Sequence, residues 1–167
     1  MTTMRPAQTA DLPRLTEIYN HYVVHSPATF DLEPKTLDER REWFAQFAET
    51  GRYRLVVAEE AGAVIGYAGT TRWRAKPAYS ETVETTVYCD PEAVGRGIGL
   101  RLYEALFDAL RGEDVHRIVA GYVPPNEASA RLHERCGFRV VGIFSEAGFK
   151  FGRYWDVCWL ERAGPGG

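Results

Sequence analysis

The segment that most restricts what this chain can fold into is the change of backbone chemistry between residues 82 and 110. Thr82-Val83-Glu84-Thr85-Thr86-Val87-Tyr88-Cys89 is rich in β-branched residues, which suit a pleated, extended backbone. Asp90-Pro91 ends it, and a glycine cluster follows, Gly95-Arg96-Gly97-Ile98-Gly99. Ile98, Leu102, Ala105, Leu106, Ala109 and Leu110 then recur at three- and four-residue intervals, the stripe of an amphipathic helix. A strand that enters a helix through a glycine turn leaves several backbone N–H groups unpaired at the positive end of the helix dipole, a physical basis for holding phosphate. Without side chains at 95, 97 and 99 the main chain can approach such a ligand closely, and a valine at 97 is expected to abolish binding.

Other phosphate-binding turns fit less well. A P-loop needs Gly-Lys followed by Ser or Thr, whereas Gly99 is followed by Leu100-Arg101. A dinucleotide fingerprint belongs to the first strand-turn-helix unit of a repeated parallel pattern, and here helices and a hairpin come first. On the glycines alone, a helix start without a ligand stays open.

Composition narrows the partners. The 167 residues carry 20 basic and 23 acidic side chains, mixed along the chain, which lacks the basic excess of a protein held to nucleic acid by phosphate neutralisation. No stretch approaches the ~20 apolar residues of a membrane span. The N-terminus, Met1 to Pro6, has no export signal, so no membrane association and a cytoplasmic address are expected. Cys89, Cys136 and Cys158 are odd in number and share no CxxC spacing, so they are read as small buried hydrophobes. His21 and His25 stand four apart with no third ligand in evidence, and no metal is expected.

The rest of the chain supplies an α+β pattern with a parallel step at its centre. Leu12, Leu15, Ile18, Tyr19, Tyr22 and Val23 form a first helical stripe. Thr36-Leu37-Asp38-Glu39 has capping-box spacing and opens a second helix, expected to turn Trp43, Phe44 and Phe47 inward. Leu55–Ala58 and Ala63–Thr71 read as a hairpin about Glu59-Glu60-Ala61-Gly62. Residues 118–123 read as a strand, 126–135 as a helix closed by Gly137, and 140–144 and 154–160 as final strands. One domain over residues 1–163 with a disordered tail from 164 to 167 is expected.

Tyr88 to Gly99 resembles the pyrophosphate-binding motif of the GNAT superfamily of N-acetyltransferases, written Gln/Arg-x-x-Gly-x-Gly/Ala, with Val94 where the family usually has Gln or Arg. Asn126-x-x-x-x-x-Leu132-His133-x-x-Cys136-Gly137-Phe138 is similar to the superfamily's later helix and its closing Gly-Phe. Within the superfamily the chain most resembles the phosphinothricin and methionine sulfone or sulfoximine acetyltransferases. That likeness rests on Ile18 to Tyr22, Thr29-Phe30 with Glu33-Pro34, Trp73 to Tyr79, Thr82 to Tyr88, and Ala147 to Gly152 with Asp156.

The resemblance implies a mixed sheet of six to seven strands, splayed at its centre and flanked by about four helices, with acetyl-CoA in the gap. It implies acetyl transfer to a primary amine without a metal. Glu84 would be the general base, and His133 a general acid or relay at the coenzyme sulfur. Backbone N–H groups within Thr86-Val87-Tyr88 would receive the thioester carbonyl. Val94, Gly95, Arg96, Gly97, Ile98 and Gly99 would hold the diphosphate, with Asn126 and Ser129 on the pantetheine or pyrophosphate. Arg74 and Lys76, near Tyr79, form a cationic loop suited to a carboxylate or phosphinate, and Phe30 would wall the acceptor. Ser145-Glu146 stands where relatives often carry Arg before the Glu, which points to a shifted acceptor preference. A protein N-terminus, an aminoglycoside or a polyamine are alternative acceptors, and a non-catalytic acetyl-CoA-binding module is the alternative of another class. Trp155, Trp159 and Phe151 would serve either a homodimer interface or the core.

Overall fold

The computed structural model describes residues 1–165. Its seven strands are β1 (Thr2–Pro6), β2 (Leu55–Glu60), β3 (Ala63–Arg72), β4 (Thr82–Cys89), β5 (Arg117–Tyr122), β6 (Arg139–Lys150) and β7 (Arg153–Ala163), and its α-helices are α1 (Leu12–His25), α2 (Leu37–Phe44), α3 (Ile98–Ala109) and α4 (Glu127–Arg135). The strands form one mixed sheet in the order β1-β2-β3-β4-β5-β7-β6. All neighbours are antiparallel except β4 and β5.

That parallel pair is short. It runs only from Thr82↔Arg117 to Glu84↔Val119, after which the two strands part. Beyond Glu84, β4 keeps its partner β3 on one side and has none on the other. The sheet is therefore splayed at its middle, as expected, and the split begins beside Glu84.

Both faces of the sheet are covered, which explains why Leu55 to Ala58 of β2 are apolar without interruption. Val56 and Ala58 turn into a core with Leu102 and Leu106 of α3, Leu110 just past its end and Ile118 of β5. Leu55 and Val57 turn the other way, onto Leu15 and Ile18 of α1 and Tyr67 of β3, with Trp43, Phe44 and Phe47 packed alongside. Each large apolar side chain removed from water this way contributes roughly 1.5–3 kcal/mol. The capping box of α2 forms as its sequence indicates, with Thr36 accepting from Glu39 N–H. The helix ends at Phe44, so Phe47 reaches the core from the following turn.

Three expectations are corrected. β1 is an added strand: its five residues include a proline and have no clear alternation, and their partners in β2 lie fifty or more positions away. β6 and β7 are much longer than expected, β6 continuing to Lys150 and β7 starting at Arg153, with Phe151 and Gly152 at positive φ in the turn between them. Gly164, expected in a disordered tail, is buried and its N–H donates to His116 O at 2.9 Å. Gly166 and Gly167 lie outside the described residues.

Candidate active site

The split between β4 and β5 opens into a cleft of about 1210 Å³. Its walls include Glu84, Thr86, Val87 and Tyr88 of β4, the turn residues Val94, Gly95, Gly97, Ile98 and Gly99, and Asn126, Ser129 and His133 at α4. The structure thus gathers onto one surface all but one of the residues assigned to the coenzyme. The exception is Arg96, whose Nη2 lies 2.8 Å from both carboxylate oxygens of Glu60, away from the cleft.

At the turn, Gly97 is the N-cap of α3 with φ +76° and gives no side-chain cap. The first helical bond runs from Arg101 N–H to Gly97 O, so the N–H groups of Ile98, Gly99 and Leu100 have no helical acceptor. A Cβ at Gly95 or Gly97 would project into open space, while one at Gly99 would sit 3.1 Å from Leu132 Cδ2. Bare amides facing an open cleft at the positive end of a helix match the diphosphate of a coenzyme. At α4 the situation differs, because Asn126 Oδ1 already accepts Ser129 N–H at 3.0 Å.

β4 supplies further donors. Asp90 N–H donates to Ile65 O, which sets the phase of the β3–β4 ladder. Alternation then turns the backbone groups of Glu84, Thr86 and Tyr88 toward β3, and those of Val87 and Cys89 toward the open side. Tyr22 Oη donating to Cys89 O at 2.6 Å agrees with this phase. Of the three residues expected to offer amides, Val87 is the one whose N–H faces the cleft.

The side chains of Glu84, Thr86 and Tyr88, two residues apart in turn, share one face of the sheet. Glu84 is half-buried, and its carboxyl pKa is raised because burial disfavours the anion, an effect opposed by the nearby Arg74 guanidinium. A carboxylate made more basic by burial suits a group that takes up a proton.

His133 lines the cleft from α4 and is packed deeply into its wall. It is 3 % exposed, among Tyr103, Tyr122 and Phe138. Nδ1 lies 2.7 Å from Ser129 O, a carbonyl that can only accept, so Nδ1 carries the proton. Nε2 then accepts from Tyr103 Oη at 3.2 Å. Burial lowers its pKa, against the hydrogen bond to Ser129. Its two ring hydrogen bonds fix His133 within α4 and tie it to Tyr103 of α3. Cys89 is half-buried and packs against the α3 core, as a small hydrophobe would, and burial pushes its thiol up to about 11.

The acceptor residues divide. Arg74, Lys76 and Tyr79 surround a separate hollow of about 380 Å³ with Trp73 and Ala75. Phe30 does not line the main cleft; its ring lies against Gly148 of β6, where an added Cβ would come within 2.4 Å. Its neighbours Thr29 and Asp31 do line the cleft, and Tyr19 Oη donates to Asp31 Oδ2 at 2.5 Å. Lys150 Nζ donates to Ser26 O and Thr29 O at 2.9 and 2.8 Å, which ties this loop to β6. Tyr19, Tyr67, Arg40 and Trp43 together line this end of the cleft, and sequence reasoning does not single them out as site residues. Tyr19 and Trp43 carry a helical signal, and that signal marks them as core.

Comparison with known proteins agrees with this geometry. Residues 4–159 match the family model of the acetyltransferase (GNAT) domain. The chain is 58% identical over 161 residues to a phosphinothricin N-acetyltransferase of Streptomyces coelicolor, covering 95% of this chain and 94% of that one. It is 38% identical over 159 residues to an L-methionine sulfoximine/L-methionine sulfone acetyltransferase of Salmonella typhimurium, covering 95% and 92%. A crystal structure of a GNAT superfamily phosphinothricin acetyltransferase from Sinorhizobium meliloti in complex with acetyl-CoA superposes with a TM-score of 0.92 at 35% identity, covering 99% of this chain and 90% of that one. The chain belongs to the GNAT family of acetyltransferases.

Proposed function

We propose that this protein transfers the acetyl group of acetyl-CoA to the primary amine of a small amino acid-like acceptor, of the phosphinothricin, methionine sulfone or methionine sulfoximine type. The observation that carries this is the position of Glu84, a half-buried carboxylate with a raised pKa at the point where the sheet opens into the coenzyme cleft.

Acetyl-CoA supplies an activated acyl thioester. The amides of Ile98, Gly99 and Leu100 and the glycines before them hold its diphosphate, and Val87 N–H receives the acyl carbonyl and stabilises the charge that develops there. Glu84 takes the proton from the acceptor ammonium, directly or through water, so that a neutral amine can attack the thioester carbon; as the C–N bond forms the C–S bond breaks, and coenzyme A leaves as a thiolate that takes up the proton shed by the amide nitrogen, by way of solvent. Arg74 is close enough to bias Glu84, and with Lys76 and Tyr79 it holds the carboxylate adjacent to that amine. A cationic loop here disfavours aminoglycosides and polyamines, and a base beside the cleft disfavours a module that only binds.

A homodimer is the assembly this surface supports. Edge strand β6 exposes Val140, Val141, Ile143, Phe144 and Phe149, a row of apolar side chains that a second copy would cover. Phe151 beyond it is exposed, whereas Trp155 and Trp159 are half-buried. A dimer mass by sedimentation is expected. Three free thiols and the need for acetyl-CoA suit a cytoplasmic enzyme. No helix among the described residues is long and apolar enough to cross a membrane.

A thiol-release assay across phosphinothricin, methionine sulfone, methionine sulfoximine and a panel of other amines tests the reaction. Free thiol should appear only when an acceptor is present, and Glu84→Gln should lower kcat roughly 10²- to 10⁴-fold while leaving coenzyme affinity in place. Arg74 stabilises the Glu84 anion, so Arg74→Met should move the acid limb of kcat/KM to higher pH. Unchanged turnover in Glu84→Gln would overturn the assignment of the base.

A further inference from the structure

Arg40 of α2 is unusual among the charged side chains. It is 4 % exposed, it lines the main cleft, and among the described residues it has no carboxylate partner. Its guanidinium lies 3.5 Å from the centre of the Trp43 ring and 4.6 Å from that of Tyr19. One donor, Nη2, reaches Tyr67 Oη at 3.3 Å, and Nε is buried without any acceptor. A buried guanidinium held against two rings is fixed in place, yet most of its donor capacity is unused. Selection for a stable fold alone would sooner replace such a group with an apolar one than leave it charged and half-satisfied.

Its position relates to Glu84 through the sheet. Tyr67, which touches Arg40, stands directly opposite Tyr88, and Tyr88 shares a face of β4 with Glu84. Four residues of strand separate those rows by about 13 Å. An amine four bonds from a distal phosphorus or sulfur spans about 6 Å to its outer oxygen. Adding a hydrogen bond of about 3 Å at each end gives a similar length.

Building on the proposed acetyl transfer, we propose that Arg40 is the anchor for a distal oxyanion or sulfonyl-type oxygen of the acceptor. The acceptor then meets two cationic poles, one in the hollow beside Glu84 and one in the main cleft. Arg74 and Lys76 hold the carboxylate next to the reacting amine, and Arg40 receives the oxygen at the far end of the side chain. Acceptors with a phosphinate or sulfone four bonds from nitrogen fill both poles, while plain aliphatic amino acids fill only one. Arg40 thereby sets side-chain specificity without taking part in proton transfer.

The test compares phosphinothricin with norvaline, which shares its amine and carboxylate but lacks the distal oxygens, in wild type, Arg40→Gln and Arg40→Lys. Arg40→Gln should lose roughly 10- to 100-fold in kcat/KM for phosphinothricin, chiefly through KM, with little change for norvaline. Arg40→Lys should recover part of the loss. Calorimetry with coenzyme A should show unaltered affinity in both variants. An equal loss for the two acceptors, or no loss for either, would overturn the inference while leaving acetyl transfer intact. No turnover of any acceptor by wild type would instead defeat the proposed function itself, and this inference with it. Should Arg40→Gln fail to fold, competition in wild type decides: glutarate, spanning two poles, should inhibit more strongly than butyrate, and equal inhibition would count against a second pole.

Discussion

The two ends of the cleft are built from different materials. The end proposed for the coenzyme consists of backbone: the amides at the start of α3, the N–H of Val87 and the glycines that leave room in front of them. The acceptor end consists of side chains drawn from distant parts of the chain, with Tyr19 and Arg40 from α1 and α2, Tyr67 from β3, and Lys150 of β6 clamping the loop that carries Thr29 and Asp31. Backbone donors recognise a phosphate whatever the neighbouring side chains are, so this end can stay constant while acceptors change. Side chains on loops and helices can be exchanged singly, and this end is where specificity resides.

The contrast can be broken most severely at Gly97. Its φ of +76° is costly for any residue with a Cβ, and a valine there would also stand in the open space before the amides. Gly97→Val should weaken coenzyme A by roughly 10- to 100-fold in calorimetry, corresponding to about 1–3 kcal/mol. Acceptor KM at saturating acetyl-CoA should change much less. A comparable loss at both ends would mean that the two are one cooperative unit.

The complementary perturbation is Gly148→Ala. An added Cβ would lie 2.4 Å from the Phe30 ring, so that ring must swing away, and its exposure lets it do so cheaply. The displaced loop carries Thr29 and Asp31 on the cleft wall. Acceptor KM should rise roughly tenfold, a size typical of a small steric change at a binding wall, with coenzyme affinity and melting temperature nearly unchanged. Reduced coenzyme binding in this variant would blur the division.

The same division decided what could be read from the sequence. The coenzyme end was legible because strand, glycine turn and helix are contiguous, and backbone chemistry follows from local residue type: β4 occupies the expected residues 82–89 and α3 starts at Ile98. Glu84 stands out as an acid interrupting a β-branched strand, but its proposed role as base comes from the family resemblance and not from the strand. Long-range facts were not. β1 pairs across fifty or more residues, and β6 extends to Lys150 because β7 supports it there, not because its own pattern demands it. His133 drew attention as a titratable residue, but its role depends on Ser129 O and Tyr103 Oη, whose placement only packing reveals. Arg40 stands three, four and seven residues before Trp43, Phe44 and Phe47 and so shares their helical face, but that a charge there is buried against Trp43 and Tyr67 without a carboxylate is a fact of packing.

The smallest expected effect is a gain at the coenzyme end. Val94 is 56 % exposed and lines the cleft beside the glycine turn, at the position where the family motif has Gln or Arg. An arginine there would add a charged donor to a diphosphate already held by backbone amides. Because the site is exposed, solvent and side-chain entropy offset most of the attraction, as for surface ion pairs worth about 0–1 kcal/mol. Val94→Arg should therefore tighten coenzyme A only about two- to fivefold in low salt, and the gain should fade as ionic strength rises past about 0.15 M. Acceptor KM should not move. A gain much larger than this would show that the amides of α3 hold the diphosphate weakly, and that the backbone is a lesser part of coenzyme recognition than the geometry of Gly97 and Val87 indicates.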